Sequence, residues 1–441
     1  MASASAVEAG SQPGKARLVH PGLTVPFVLL ILCFAAWGSA ANLTDVLVGV
    51  FRSIFDMSNF QSALVQFAYY GAYFSLAIPA AFINRRFGYK VGVLTGLGLA
   101  AAGGLLFIPA SQLLVYEFFL LALFVLAAGL SILETSANPF VIAMGPEGSA
   151  TQRLNLAQAF NPVGANVGVL LGAVLILPQI TSEAAKTIMS PAELRASQEA
   201  DLSYVLGPYL GIAAVLVAIW VLIAFRKMET PAEQSQGAEG VSSGAFSRLW
   251  RNRSYRYGVA AQFFNVGAQV CAWTFTIQYA QDVVGVSTAS SGWWLQASLI
   301  LFLLARFLMT YLLGIFRPTK LLLLMGALGV VFCLIAMFSQ NVVGLIAVVA
   351  ISLSLSLMFP TIYGVALRGL GEDAKFGAAG LVMAILGGAL LTPVHGLLMD
   401  EVGAALAYAV PAVCLAAVAC YALFDLRTNP EGGALVVEGA H

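Results

Sequence analysis

Apolar residues in this chain come in long unbroken runs, not in the alternating or 3.6-residue pattern of half-buried elements. Twelve runs stand out, at residues 24–50, 60–83, 91–110, 115–143, 154–178, 204–225, 256–281, 292–315, 320–338, 342–367, 376–399 and 404–425. A helix needs about 20 apolar residues to cross the hydrocarbon of a bilayer. Only helices and closed barrels satisfy their backbone groups there. Barrel strands would be about 10 residues long and strictly alternating. These runs are longer and apolar on all sides, so the pattern predicts an all-α membrane protein of twelve transmembrane helices. Composition agrees: 60% of the 441 residues are hydrophobic and 10% charged, against roughly 45–50% apolar and about 25% charged in a soluble domain.

The formal net charge of zero conceals an asymmetry between alternate loops. With the N-terminus inside, the inner segments carry 17 Lys and Arg residues, the outer segments only Arg52, Lys186 and Arg195, and Arg306 lies within the eighth span. Positive residues stay on the cytoplasmic side of short loops, which predicts both termini cytoplasmic in a multi-pass membrane protein. The polar lead 1–20 runs into an apolar stretch too long for the core of a signal peptide, so no cleaved leader is expected. The five cysteines, Cys33, Cys271, Cys333, Cys414 and Cys420, all fall inside spans and read as small hydrophobes. No disulfide framework or metal spacing emerges. Neither a cofactor nor a nucleic-acid partner is expected, and the lipid bilayer is the solvent.

Residues 1–23 and 426–441 read as cytoplasmic tails flanking two six-helix halves, 24–225 and 256–425. Between the halves, 226–255 is a Gln/Ser/Gly-rich, basic linker. In the outer loop 179–203, Ser190-Pro191-Ala192-Glu193 is a helix-start signal and predicts a short surface helix. The halves resemble each other. Lys90 and Lys320, Pro139 and Pro360, Arg153 and Lys375, and Asn42 and Gln269 recur in order at separations of 230, 221, 222 and 227 residues. That order favours a parallel repeat of six spans, an architecture that places a substrate site between the halves at the membrane midplane.

An ionisable residue inside a span costs roughly 2.5–3.5 kcal/mol on insertion scales, so it faces a cavity or a partner. Asp45, Glu134 and Arg306 are such residues. Asn42 shares a helix face with Asp45, and Asn138 shares one with Glu134. Asn155, Gln158 and Asn161 follow at three-residue steps, and Gln262, Asn265, Gln269 and Trp273 form a stripe on the seventh span. Amides and carboxylates offer donors and acceptors side by side, which suits vicinal hydroxyls. Aromatic faces suit the C–H side of a sugar ring, with Tyr69, Tyr73, Trp273, Trp293 and Trp294 as candidates. Amides in spans also join helices, at about 0.6 kcal/mol on average, but that role needs no charge, so Asp45 and Glu134 point to function. Arg306 suits either a carboxylate partner or backbone carbonyls. The stripe Gly164, Gly168, Gly172 suits close helix packing.

Several runs resemble the L-fucose–proton symporters of the fucose–galactose–glucose group, within the major facilitator superfamily. These are Ala41-Asn42-Leu43-Thr44-Asp45 in the first span, Leu133-Glu134-Thr135-Ser136-Ala137-Asn138-Pro139-Phe140 in the fourth, and Arg153 through Asn161 in the fifth. Val266-Gly267-Ala268-Gln269, Arg306-Phe307, Phe359-Pro360-Thr361-Ile362 and Thr392-Pro393-Val394 look similar to the same family. The resemblance implies the major facilitator fold and proton-coupled import of a monosaccharide, L-fucose before D-galactose or D-glucose, by a monomer. It implies Asp45 and Glu134 as the proton-coupling acids, with Asp45 at the sugar site. Asn42, Asn138, Gln158, Asn161, Gln269 and Trp273 are the expected sugar contacts. The superfamily's usual acid before the Arg pair of the loop between spans two and three is replaced by Asn84, which removes a charged gate latch.

A passive sugar facilitator of the same fold is the alternative, although uniport needs no titrating acid. Neither a catalytic cluster nor a filter-like loop supports a membrane enzyme or a channel.

Overall fold

The computed structural model describes residues 18–55, 59–113, 115–176, 179–181, 189–228 and 244–429; side chains of 44–67 and of positions 111, 172, 173, 202, 205, 288 and 289 lie outside the described set. Regular structure among these residues is helical throughout. The first six spans are Thr24–Phe55, Asn59–Phe87, Tyr89–Leu113, Tyr116–Ala143, a broken fifth (Ala150–Gln158, Phe160–Leu171 and a π turn, Gly172–Ile176) and Pro191–Ala224. The last six are Arg253–Asp282, Thr288–Leu312, Pro318–Ser339, a broken tenth (Val342–Leu355 and Met358–Leu367), a broken eleventh (Ala374–Met383 and Leu386–Val402) and Ala409–Thr428.

Ten of these are long and apolar enough to cross a membrane among the described residues. The second and seventh are the exceptions, at 29 and 30 residues. Length is not their shortfall. The second carries Tyr69, Tyr70, Tyr73 and Asn84, and the seventh carries Gln262, Asn265, Gln269, Gln278 and Gln281. Of these, Tyr69, Tyr70, Tyr73 and Gln269 face the cavity between the halves.

Two expectations need correction. The surface helix predicted in 179–203 is no separate element: Ser190 and Glu193 form the capping box, but the helix they start runs without a break from Pro191 to Ala224. The residues after the cap are mostly good helix formers (Ala192, Glu193, Leu194, Arg195), so nothing stops propagation into the span. The linker is also narrower than 226–255, because Ala245–Arg251 and the seventh span from Arg253 are helical.

Small residues set how close the spans approach. A Cβ at Gly164 would lie 1.7 Å from Ala35 O, and one at Gly168 would lie 2.4 Å from Ser39 O. The fifth span therefore rests backbone-on-backbone against the first.

Prolines determine where the polar side chains go. Proline lacks an N–H, so the carbonyl four residues earlier loses its helical donor, and in lipid that carbonyl must find another. Pro139 frees Thr135 O, and Asn84 Nδ2 donates to it at 3.3 Å. Asn84 is fully buried against its own half. A carboxylate at this position has no proton to donate, which accounts for the amide there.

Each half is tied at the face carrying the basic loops. Lys90 Nζ donates to Ala224 O at 3.0 Å and Arg226 O at 2.7 Å, closing the end of the sixth span. In the second half Asp425, buried at the end of the twelfth span, accepts from Thr319 Oγ1 at 2.7 Å, Arg368 Nη2 at 2.7 Å and Asn429 Nδ2 at 2.9 Å. Arg153, opening the fifth span, donates to Val141 O at 2.7 Å and Leu18 O at 2.8 Å. Its repeat partner Lys375 instead reaches the other half, with Nζ 5.6 Å from the Tyr89 ring centre.

Contacts between the halves concentrate on this basic face. Phe82 and Phe376 meet edge to face at 5.1 Å, and the Arg85 guanidinium lies 5.4 Å over the Phe376 ring. Asn155 Nδ2 donates to Thr361 Oγ1 at 3.2 Å. A Cβ on Gly364 would come within 2.8 Å of Thr151 Oγ1. These contacts are aromatic, cation–π and amide–hydroxyl in kind.

Candidate sugar and proton site

Above this closed face the halves separate around a cavity of about 250 Å³, near the small end of ligand pockets, which run roughly 300–1,000 Å³. The first half contributes Trp37, Asn42, Tyr69, Tyr70, Tyr73, Glu134, Gln158, Asn161 and Asn166 to its wall. The second contributes Gln269, Trp273, Gln296, Phe302, Arg306 and Phe359.

The walls are braced from behind. Trp37 Nε1 donates to Tyr73 Oη at 2.9 Å, and Tyr73 packs on Tyr69 with ring centres 5.1 Å apart. Trp273 Nε1 donates to Ser352 Oγ at 3.0 Å, and its ring meets Phe302 edge-on at 5.0 Å. Asn42 Nδ2 donates to Gly38 O at 3.1 Å and Asn161 Nδ2 to Phe34 O at 3.4 Å, so each still has its amide oxygen for a ligand. Such a wall has aromatic planes and unspent amide groups, the combination that receives a ring bearing several hydroxyls.

Glu134 is the only carboxylate on this wall among the described residues, and it has no solvent exposure. Neither carboxyl oxygen has a hydrogen-bond partner. Asn138, one turn on, approaches both Glu134 and Tyr363, but its Nδ2 and the Tyr363 hydroxyl also lack hydrogen-bond geometry. A buried charge without a partner is strongly disfavoured. The geometry therefore accommodates a protonated acid and leaves it poised for a partner.

Of the sequence-derived candidates, Asn42, Glu134, Gln158, Asn161, Gln269 and Trp273 line the cavity. Asn138 sits behind it, accepting from Gln158 Nε2 at 2.8 Å. The first span places Asp45 on its helix, but the Asp45 side chain lies outside the described residues. Gln262 and Asn265 are buried with both amide atoms unpartnered, short of the cavity wall. Trp293 is 74% exposed and is no part of the wall, and Trp294 packs against the core of the second half instead. Both sit at the outer end of the eighth span, where an aromatic belt forms.

Sequence reasoning missed Trp37, Asn166 and Gln296. Asn166 and Gln296 approach across the cavity mouth, with Nε2 to Oδ1 at 3.5 Å. Gln296, Leu299, Phe302 and Arg306 follow at helical spacing on the eighth span and all line the wall, a stripe visible in the sequence once Arg306 is taken as its anchor.

Arg306 is buried, at 4% exposure, with its guanidinium 4.6 Å over the Phe302 ring. Its Nε donates to Ser356 O at 2.8 Å and its Nη1 to Gln158 O at 3.1 Å. These are the carbonyls freed by Pro360 and Pro162, one in each half.

The model of the Major Facilitator Superfamily matches residues 28–386. The L-fucose-proton symporter of Escherichia coli strain K12 is 39% identical over 412 residues, covering 92% of this chain and 94% of that one. The glucose/galactose transporter of Brucella abortus biovar 1 is 33% identical over 406 residues, covering 90% and 93%. Among solved structures, the transporter FucP in its outward conformation superposes with a TM-score of 0.86 at 38% identity, over 91% of this chain and 98% of that one. The proton:xylose symporter XylE shares the fold at 13% identity and a TM-score of 0.70. The chain belongs to the Major Facilitator Superfamily, a multi-pass membrane transporter with two six-helix halves about a central cavity.

Proposed function

We propose that this protein imports L-fucose together with a proton, by alternating access between the two halves. The observation that carries the reading is one buried, unpartnered carboxyl, Glu134, on the wall of a monosaccharide-sized cavity lined by amides and aromatic rings. The L-fucose–proton symporters among its relatives support both the sugar and the coupling. Relatives that carry glucose and galactose make those hexoses the second reading.

The halves touch on the basic face and part on the other, so the arrangement is outward-facing if the basic loops are cytoplasmic. Sugar enters against Trp37, Asn42, Tyr69, Asn161, Gln269 and Trp273, with Asp45 at the sugar site. Glu134 takes its proton from the outer side and releases it when the cavity opens to the cytoplasm. Coupling requires that sugar and proton both favour the same transition. Both termini lie in the cytoplasm of a bacterial cell, and one copy suffices.

The experiment is uptake into proteoliposomes. Glu134→Gln mimics the protonated acid, so this variant is expected to bind and exchange sugar but not to accumulate it against a gradient. Retained accumulation removes Glu134 as the proton carrier. A competition panel against labelled L-fucose settles the sugar: D-galactose or D-glucose displacing it at lower concentration than L-fucose itself favours the second reading.

A further inference from the structure

We infer that Arg306 is the positioning charge against which Glu134 works: a fixed cation on the second half that draws the halves together on the basic face whenever Glu134 is ionised. The inference rests on the reading of Glu134 as the proton carrier.

Three observations lead to it. First, both groups line one cavity from opposite halves, and Glu134 is the only carboxylate on that wall among the described residues. Second, the two sites are linked through bonds. Arg306 Nη1 holds Gln158 O, Gln158 Nε2 donates to Asn138 Oδ1, and Asn138 lies one turn from Glu134. Third, the backbone bonds of Arg306 do not explain its charge. The carbonyl freed by Pro139 is served by a neutral amide, Asn84. A glutamine would serve Gln158 O or Ser356 O in the same way. A buried cation is costly, and Arg306 has no carboxylate partner among the described residues.

The other groups near Glu134 are weak competitors for this role. Tyr73 of the second span and Tyr363 of the tenth lie within its electrostatic reach, and Tyr69 and Tyr70 share the wall. All are neutral phenols. On the first span Asp45 is itself an acid and offers no positive charge.

The consequence for the cycle is directional. A sugar-loaded carrier with Glu134 protonated has no attraction across the cavity, and its basic face is free to open. Once the proton leaves on that side, ionised Glu134 and Arg306 attract across the gap and draw the basic face of the empty carrier closed again. Net uptake needs that return step; exchange of one sugar for another does not.

The test compares Arg306→Gln, Arg306→Lys, Glu134→Gln and the double variant Arg306→Gln/Glu134→Gln in proteoliposomes, with sugar binding and thermal melting as checks on folding. Arg306→Gln is expected to slow net uphill uptake on the order of 5- to 150-fold, the usual range of coupling between two sites, and to slow counterflow by much less. Arg306→Lys, which keeps the charge and loses the fork, is expected to restore most of the uptake. In counterflow, which Glu134→Gln retains, the double variant is expected to be no slower than the slower single variant, because the two groups act as one unit. Additive losses overturn the inference, as does failure of a folded Arg306→Lys to accumulate sugar; either reduces Arg306 to a carbonyl ligand. If Arg306→Gln accumulates sugar and Glu134→Gln does not, the inference falls and the proton-carrier reading stands. If Glu134→Gln itself accumulates sugar, both fall. Should Arg306→Gln not fold, Arg306→Lys alone decides.

Discussion

Gln158 on the fifth span donates its side-chain amide to Asn138 Oδ1 on the fourth at 2.8 Å, while its backbone oxygen accepts from Arg306 of the opposite half. One residue thus joins the fourth span, the cavity wall and the partner half. Truncating it leaves Asn138 without its donor. Gln158→Ala is expected to weaken sugar binding by about 1–3 kcal/mol, the usual cost of a buried unpaired polar group, or roughly 5- to 150-fold in affinity. Calorimetry on purified, folded protein checks this; unchanged affinity removes Gln158 from the site.

On the proposed role of Glu134 as proton carrier, the coupling has a fixed sign. The form competent to carry sugar inward has the acid protonated, so sugar exchange should rise as the pH outside falls and decline as Glu134 ionises. With Gln at position 134 the group no longer titrates, and the exchange rate should lose most of its pH dependence between pH 5 and 9. Counterflow rates across that range decide it, and a variant that keeps the wild-type profile points to another titrating group.

The closed face depends on Phe376, which meets Phe82 edge-on and carries Arg85 over its ring. An aromatic pair contributes about 0.5–1.5 kcal/mol beyond its buried area. Phe376→Ala should therefore shift the population toward the arrangement open on the basic face. Labelling of a cysteine placed at position 155, beneath the cavity, should quicken from the cytoplasmic side; unaltered labelling means that the closure has other supports.

Gly164 and Gly71 differ in what a methyl group would meet. At Gly164 it would strike Ala35 O at 1.7 Å, and at Gly71 there is open space within 4 Å. Gly164→Ala should lower stability by about 1–3 kcal/mol, as overpacking does, and Gly71→Ala should not. Thermal melting in detergent separates the two, and equal melting temperatures contradict the close packing of the first and fifth spans.

The spans were legible because bilayer insertion demands long apolar runs, and the second and seventh were found despite their polarity because apolar residues still outnumber the polar ones along each run. Family membership was legible in the runs around Asn42, Glu134 and Asn161. The short linker helix and the unbroken sixth span were not, since helix propagation past a cap depends on what the helix packs against. Gln296 and Asn166 went unnoticed because a single amide in a span reads equally well as helix glue until its neighbour across the cavity is known. Arg306 was ambiguous for a related reason: its two acceptors lie 50 and 148 residues away, and only the fold brings the carbonyls freed by Pro360 and Pro162 to one guanidinium. The amide at position 84 reads in the sequence as the loss of an acid, and its task as donor to Thr135 O is visible only beside Pro139.

The ties at Lys90 and Asp425 reach the same end by different chemistry. A lysine on bare carbonyls closes the first half, and a buried acid among arginines closes the second. What the two halves share here is therefore the shape of a strut, not the residues that make it. The first strut is a charge on helix-end dipoles, and the second is an ion pair shielded from water. Comparing the two halves residue by residue understates their kinship; comparing which loop is fastened to which helix end recovers it.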